Sequence, residues 1–331
     1  FARQGLACRV LAYDELFSEP DQPAPEPAVK GASLASLIFT SGPTGTTKGV
    51  MLTNKNFTAM VSKLSSLFTL YKHDKLLSVL PLHHTFEFSA GFLMPLLHGA
   101  SIDYLEEIEA DSLARALEDE GVTGMVGVPA LWQLFHRKIT QEFASRPKFV
   151  EEGIKGLMAI NAQLRDKQGF NLGKLLFWPV HRKFGGQMKF MISGGSALPD
   201  DVHKAFHALG FTLDEGYGLT EAAPVLTVTE SGDKRLPGTV GKALPGVELK
   251  IHEPDEHGVG EVIARGPNVM AGYFQDREAT DAVLKGGWLY TGDLGRLDAE
   301  GNLYLSGRKK DVIIDANGKN VYPDELEELY G

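Results

Sequence analysis

Residues 34–50 read LASLIFTSGPTGTTKGV, an apolar run that gives way to a loop of hydroxyls, glycines and a single lysine. The run Leu34–Phe39 has the length of a buried strand, and Asn54 offers an N-cap for a following helix. The segment therefore reads strand, loop, helix. The same rhythm returns at Leu76–Leu80 before PLHHTFEF, at Gly124–Val128 before PALWQLFHRKI, and at Met188–Ile192 before SGGSALPDDVHKAF. Repeated strand-then-helix units predict an α/β fold whose mainly parallel sheet is covered by helices.

The loop carries chemistry as well as shape. Thr40, Ser41, Gly42, Thr44, Gly45, Thr46, Thr47 and Lys48 supply the hydroxyls, small residues and cation that surround phosphate oxygens. The spacing is not GxxxxGK[ST], because Thr47 precedes Lys48 and Gly49 follows it, which disfavours a Walker-type NTPase. Taken alone, such a turn is as often purely structural.

Outward from this core the texture changes twice. Residues 18–30 (SEPDQPAPEPAVK) hold four prolines and several charges, the composition of an extended linker. After Glu221, Val247, Leu249 and Ile251 alternate with polar residues between turns such as EPDEHGVG and DAEGN, which predicts a smaller antiparallel β unit. At the far end VYPDELEELY places Pro323, Asp324 and Glu325 where a helix would start.

Composition bounds the function. With 331 residues, 43% hydrophobic and 23% charged, the chain can bury a sizeable core. The 33 basic and 43 acidic residues leave a net charge of −10, which argues against a nucleic-acid partner. A single cysteine, Cys8, forms no internal disulfide and suits a reducing, cytoplasmic setting. The longest apolar stretch, Phe86–Ala100, is interrupted by Glu87 and His98 and is too short to span a bilayer. The chain opens on Phe1 with no visible signal peptide, and we expect its start to be a cut in a longer chain.

The sequence resembles the adenylate-forming superfamily of acyl-CoA synthetases, aryl-CoA ligases, luciferases and nonribosomal adenylation domains, whose loop reads close to TSG[ST]TGxPKG. ISGGSALP (Ile192–Pro199), GYGLTEAAP (Gly216–Pro224), GTVGKALPGVELKI (Gly238–Ile251), YTGDLG (Tyr290–Gly295) and GRKKDVIIDANGKNVYPDELE (Gly307–Glu327) follow in that family's order. The resemblance runs from about residue 33 to the end and is closest to long-chain fatty acyl-CoA synthetases. It implies parallel-sheet β/α subdomains, an antiparallel β-barrel-like subdomain and the start of a small C-terminal domain. The implied division is 1–30 linker, 31–225 nucleotide-binding core, 226–307 β subdomain, and 308–331 hinge with the beginning of the C-terminal domain.

The resemblance also implies roles. Thr220 would contact the α-phosphate and Glu221 would ligate Mg²⁺, a hard carboxylate for a hard cation. Tyr217, between Gly216 and Gly218, would stack on adenine, and Gly195 and Ser196 would form the edge along adenine and the acyl carboxylate. Asp293 and Arg308 would hold the ribose, His84 would line the acyl end, and Lys310 would be the hinge. Singly, a Thr-Glu pair is more often a helix cap, an Asp a turn former and a His a core residue; their order in one chain favours function. Trp132 reads as core rather than as a gate. Pro43 departs from the family's Ser or Thr, removing a hydroxyl and a backbone donor from the cradle.

The implied reaction is ATP- and Mg²⁺-dependent activation of a carboxylic acid to acyl-AMP, then transfer to coenzyme A. Arg137–Phe184 looks like the insert of long-chain synthetases, which favours a fatty acid. With ten basic and four acidic residues it carries +6 in a chain of −10, and could rest on anionic lipid; a solvated helical insert is the plain alternative. An acyl carrier protein as acceptor, an aryl acid as substrate, and a non-catalytic nucleotide-binding scaffold all stay open, as does the oligomeric state.

Overall fold

The computed structural model describes residues 29–41, 47–105, 110–229, 236, 238–311, 313–314 and 320–321. The chain divides into two compact units, Phe1–Gly31 and Ala32–Gly331, and the second holds every element below. The expected C-terminal helix at 323–330 lies outside the described residues.

The opening motif folds differently from its reading. β1 (Leu34–Ser41) runs into the loop, but β2 (Thr47–Thr53) returns antiparallel beside it, with Thr40 opposite Lys48 and Ser41 opposite Thr47. The phosphate-type loop thus closes a hairpin instead of leading straight into a helix. Helix Asn54–Leu67 begins one residue earlier than expected: Thr53 is the N-cap, its hydroxyl accepting from the Asn56 N–H while its own N–H donates to the Asn56 side chain. That reciprocal pairing satisfies two donors at the helix start and is why Thr53, not Asn54, caps it.

The other three units form the parallel sheet that the sequence predicts. β3 (Lys75–Ser78), β4 (Ser101–Tyr104), β5 (Gly124–Gly127), β6 (Phe190–Ser193) and β7 (Leu213–Gly218) pair in parallel in the order β4-β3-β5-β6-β7. β8 (Val225–Val228) and β9 (Lys242–Ala243) extend the sheet antiparallel to seven strands. Neighbouring residues along a strand face opposite sides, so Leu76, Val126 and Ile192 enter one core while Leu77, Met125 and Met191 enter the other. The first core is closed by Phe57, Met60, Val61 and Leu64 of helix Asn54–Leu67. The second is closed by helices Pro129–Ala144 and Asp200–Leu209; there Trp132 is fully buried against Phe135 and Phe206, a core residue as expected.

The downstream β unit is antiparallel: β10 (Glu248–His252), β11 (Gly260–Arg265), β13 (Leu284–Lys285), β14 (Trp288–Leu297) and β15 (Leu303–Arg308) make a five-stranded sheet. The short β12 (Gly272–Tyr273) leaves it to pair with β2. The motif Gly238–Ile251 couples the two sheets: the Val240 N–H donates to Leu303 O, the Leu303 N–H to Gly241 O, and the Thr239 hydroxyl to Leu303 O. No helix among the described residues is long and apolar enough to cross a membrane.

Candidate active site

The carboxyl ends of the parallel strands share one edge, where open α/β sheets place their ligands. Leu80, Pro81 and His84 follow β3, Val128 follows β5, Gly194 and Gly195 follow β6, and Gly216–Thr220 close β7; all line a single cavity of about 380 Å³. Its far wall is apolar: Leu64 and Phe68 come from the first helix and its end, and Phe86, Ala90 and Met94 from the segment after His84. That segment includes a π-helical turn, Glu87–Leu93, an uncommon geometry that marks functional sites.

Two polar constellations connect to this lining, one through Tyr217 and one through Glu221, the residue after Thr220. The buried Tyr217 hydroxyl donates to Asp293 Oδ2 at 2.7 Å, and Arg308 Nε lies 3.1 Å from Asp293 Oδ1. Asp293 and Arg308 face each other in the β14–β15 register, so the pairing of two strands places the ion pair. Burial first, then the Asp293 charge, pushes the Tyr217 phenol well above its ordinary range, so it remains a donor.

The second constellation joins Lys48 to Glu221. The Tyr273 hydroxyl donates to Glu221 Oε1 at 2.7 Å, and Lys48 Nζ stands 5.0 Å from the centre of the Tyr273 ring. The backbone fixes the arrangement: Met270 N–H donates to Glu221 O, Ala271 N–H to Met51 O, and Phe274 N–H to Gly49 O. Burial and the Glu221 charge raise the Tyr273 phenol, so it keeps its proton and donates it in the bond to the carboxylate.

The structure thus gathers His84, Gly195, Gly216, Tyr217, Gly218 and Thr220 around one cavity, ties Asp293 and Arg308 to it through Tyr217, and joins Lys48 to Glu221. Ser196 follows Gly195 in the same loop and is exposed. Thr40, Ser41 and Thr47 sit at the mouth of the hairpin; Gly42, Pro43, Thr44, Gly45 and Thr46 lie outside the described residues. Lys310 faces solvent two residues beyond Arg308, its Nζ 4.0 Å from Asp311 Oδ1.

Sequence reasoning missed three residues. Tyr273 sits in AGYF, which reads as an ordinary strand end. Glu261 braces β14 beside Asp293, accepting from the Gly292 N–H and, at 2.9 Å, from Lys309 Nζ. That bond raises the Lys309 ammonium. Glu87 is wholly buried, takes the Ser78 hydroxyl on one oxygen and has no hydrogen-bond partner on the other among the described residues.

These groups fit a nucleotide and a divalent cation. The bond from Tyr273 uses one Glu221 oxygen, and a carboxylate keeps lone pairs for a hard cation. Among the described residues no three His, Cys, Asp or Glu side chains cluster into a metal cage.

Residues 6–274 match the family model described as AMP-binding enzyme. The chain belongs to the AMP-binding enzyme family. Indoleacetate–CoA ligase of Aromatoleum aromaticum is 30% identical over 97% of this chain and 56% of its own length. The peroxisomal long chain acyl-CoA synthetase 7 of Arabidopsis thaliana is 30% identical over 99% of this chain and 48% of its own. The chain spans about half the length of these AMP-binding relatives. Among solved structures, o-succinylbenzoate coenzyme A synthetase of Bacillus subtilis in complex with ATP and magnesium ion superposes with a TM-score of 0.72 at 27% identity, covering 96% of this chain and 58% of that one. ATP-bound MatB of Rhodopseudomonas palustris gives 0.70 at 28%, covering 90% and 52%.

Proposed function

We propose that the full-length protein uses ATP to activate a carboxylic acid, a medium- or long-chain fatty acid, and passes the acyl group to coenzyme A. A carboxylate oxygen attacks the α-phosphorus and pyrophosphate leaves; a thiol sulfur then attacks the acyl carbon, AMP leaves, and the thiol proton goes to solvent. The observation that carries this reading is that one cavity has the Gly216–Thr220 motif on one wall and Leu64, Phe68, Ala90 and Met94 on the other. A ligand with a nucleotide head and an apolar tail matches that division.

The chain's own residues supply positioning and charge. Thr220 donates its hydroxyl to the α-phosphate. Glu221, held by Tyr273, ligates Mg²⁺, which would neutralise phosphate charge when bound. Tyr217 keeps the Asp293 carboxylate turned towards the ribose hydroxyls while Arg308 holds its other oxygen. Lys48 is assigned to the β- and γ-phosphates, as is the loop sequence 42–46 that lies outside the described residues, and His84 lies where the acyl carboxylate enters. The division into a core of residues 31–225, a β unit of 226–307 and a hinge at Lys310 belongs to the same reading, with the remainder of the small domain supplied by the longer protein.

The fatty reading is supported by long-chain relatives from several organisms, among them Bacillus subtilis at 31% identity over 89% of this chain. The indoleacetate relative favours an aromatic acid instead. Pyrophosphate release by the full-length protein across fatty, aryl and dicarboxylic acids decides between them. Fatty acids should give the highest kcat/KM; a preference for arylacetic acids would replace the fatty reading while keeping the chemistry. No release with any acid would leave the nucleotide-binding scaffold.

A further inference from the structure

The segment that lends Phe177, Val180 and Phe184 to the second core carries, on its outer side, a surface away from the cavity. Helix Lys148–Gln168 ends at Gly169, and the chain continues through two short helices, Gly173–Leu176 and Trp178–Lys183. Within nine residues it exposes four large apolar side chains: Phe170 (63%), Leu172 (40%), Leu175 (78%) and Trp178 (48%). From Lys167 to Pro199 the sequence has five Lys/Arg and no Asp or Glu, in a chain of net charge −10. Arg182 lies 3.5 Å from Glu118, Lys183 pairs with Glu142 and Lys189 with Asp74; Lys167 and Lys174 have no acidic partner among the described residues. Lys174 Nζ stands 6.0 Å from the Trp178 ring.

The exposure is enforced by what lies beneath. Buried Asn161 accepts from the Leu172 N–H at 2.8 Å and donates to Ala208 O at 2.9 Å. Arg165 donates to His207 O and Phe211 O, the His181 ring bonds Leu209 O, and Asn171 donates to Gly210 O. Gly173 packs on Gly210 so closely that a Cβ there would stand 2.3 Å from the Gly210 Cα. The loop is therefore bolted to the end of helix Asp200–Leu209, and Leu172, Lys174 and Leu175 flank the bolt with their side chains outward. Buried polar groups are costly unless satisfied, and here they are spent on holding apolar side chains in water.

We propose that Phe170, Leu172, Leu175 and Trp178, with Lys167 and Lys174, form a docking surface for an anionic phospholipid bilayer. Protein interfaces are depleted of lysine at their centres, whereas a lysine beside an exposed Trp and Leu suits a lipid boundary, where the apolar parts enter and the ammonium stays at the headgroups. An apolar patch or a basic cluster alone binds weakly; the two together give the double signal that reversible membrane association needs. The surface stands independently of which acid is activated.

Flotation of the 331-residue chain with vesicles tests it, using phosphatidylcholine alone or mixed equally with phosphatidylglycerol. The chain should float with the mixed vesicles and not with phosphatidylcholine, and high salt should release it. Lys174→Glu should weaken the partition roughly fivefold or more, the equivalent of about 1 kcal/mol per cation. Leu175→Ser, a change at an exposed position that leaves the fold intact, should weaken it by about tenfold. A blue shift of tryptophan emission on vesicle addition should disappear in Trp178→Phe. Equal binding to both vesicle types, binding indifferent to Lys174 and Leu175, or no binding at all would overturn the proposal; the last would turn the patch over to a protein partner.

Discussion

Replacing Glu87 by Gln should abolish one component of the protein's pH-dependent stability and leave its fold alone. Glu87 has no solvent exposure, one oxygen is bonded to Ser78 and the other has no hydrogen-bond partner among the described residues. Gly91 packs against it so tightly that a Cβ there would lie 2.2 Å from Oε1. Burial, opposed only by the Ser78 hydroxyl, pushes the carboxyl from an ordinary 4.5 up to about 7. The folded state therefore holds this proton more tightly than the unfolded chain does. Its contribution is fully present below 4.5 and is lost as the pH rises through about 7. At 1.36 kcal/mol per pH unit, the rise from 4.5 to about 7 amounts to about 3 kcal/mol. Urea denaturation of the wild type and of Glu87→Gln, run from about pH 4 to pH 8, isolates the effect, because every other titrating group is common to both chains. The wild-type curve should fall relative to the variant by about 3 kcal/mol across that range. Parallel curves would refute the reasoning. The π turn that carries Glu87 also carries Ala90 and lies between Phe86 and Met94, so ionising this carboxyl should loosen the apolar wall of the cavity as well.

Four further substitutions have outcomes to be read in the full-length protein. Glu221→Gln should lower pyrophosphate exchange about a hundredfold or more, as loss of a metal ligand implies, and Tyr273→Phe about tenfold, the value of one hydrogen bond to a carboxylate; unchanged exchange in Glu221→Gln would remove the metal assignment. Pro43→Thr, which restores a hydroxyl and a backbone donor to the loop, should lower the KM for ATP and leave that for the acid unchanged, as initial-rate kinetics would show. Lys310→Pro should spare one half-reaction and damage the other if the backbone there must take up two conformations, so separate assays of pyrophosphate release and of thioester formation from added adenylate check it; equal loss in both would make Lys310 merely structural.

What the sequence revealed and what it hid have physical reasons. The parallel sheet was legible because each strand is a short apolar run ending in a Gly- or Pro-rich turn, as at Gly124–Gly127 and Phe190–Ser193. The first motif misled because Thr47–Thr53 (TKGVMLT) mixes polar and apolar residues over too short a span to announce a strand. Only pairing with β1 on one side and β12 on the other makes it one. The cap at Thr53 was hidden because Asn54 is an equally good capping residue by type, and the choice rests on Asn56 reaching back. Thr220, Glu221, Tyr217 and Asp293 stand in ordered motifs, which is why they could be named as candidates from the sequence. Tyr273 could not, since it meets Glu221 across 52 residues of chain through a two-stranded contact that no local pattern encodes. Glu87 was legible only as an interruption in an apolar run, and its burial depends on Ser78 and Gly91 closing round it.

The central claim is that one cavity takes both the nucleotide head and the acyl tail of a single ligand. Calorimetric titration of the 331-residue chain with a series of stable acyl-adenylate analogues of increasing chain length tests it most directly. If the tail lies against Leu64, Phe68, Ala90 and Met94, each added methylene should tighten binding about fourfold, the equivalent of about 0.8 kcal/mol, until the cavity is filled. Affinity that stays constant from the shortest to the longest chain, at the level of the adenylate head alone, would contradict the account.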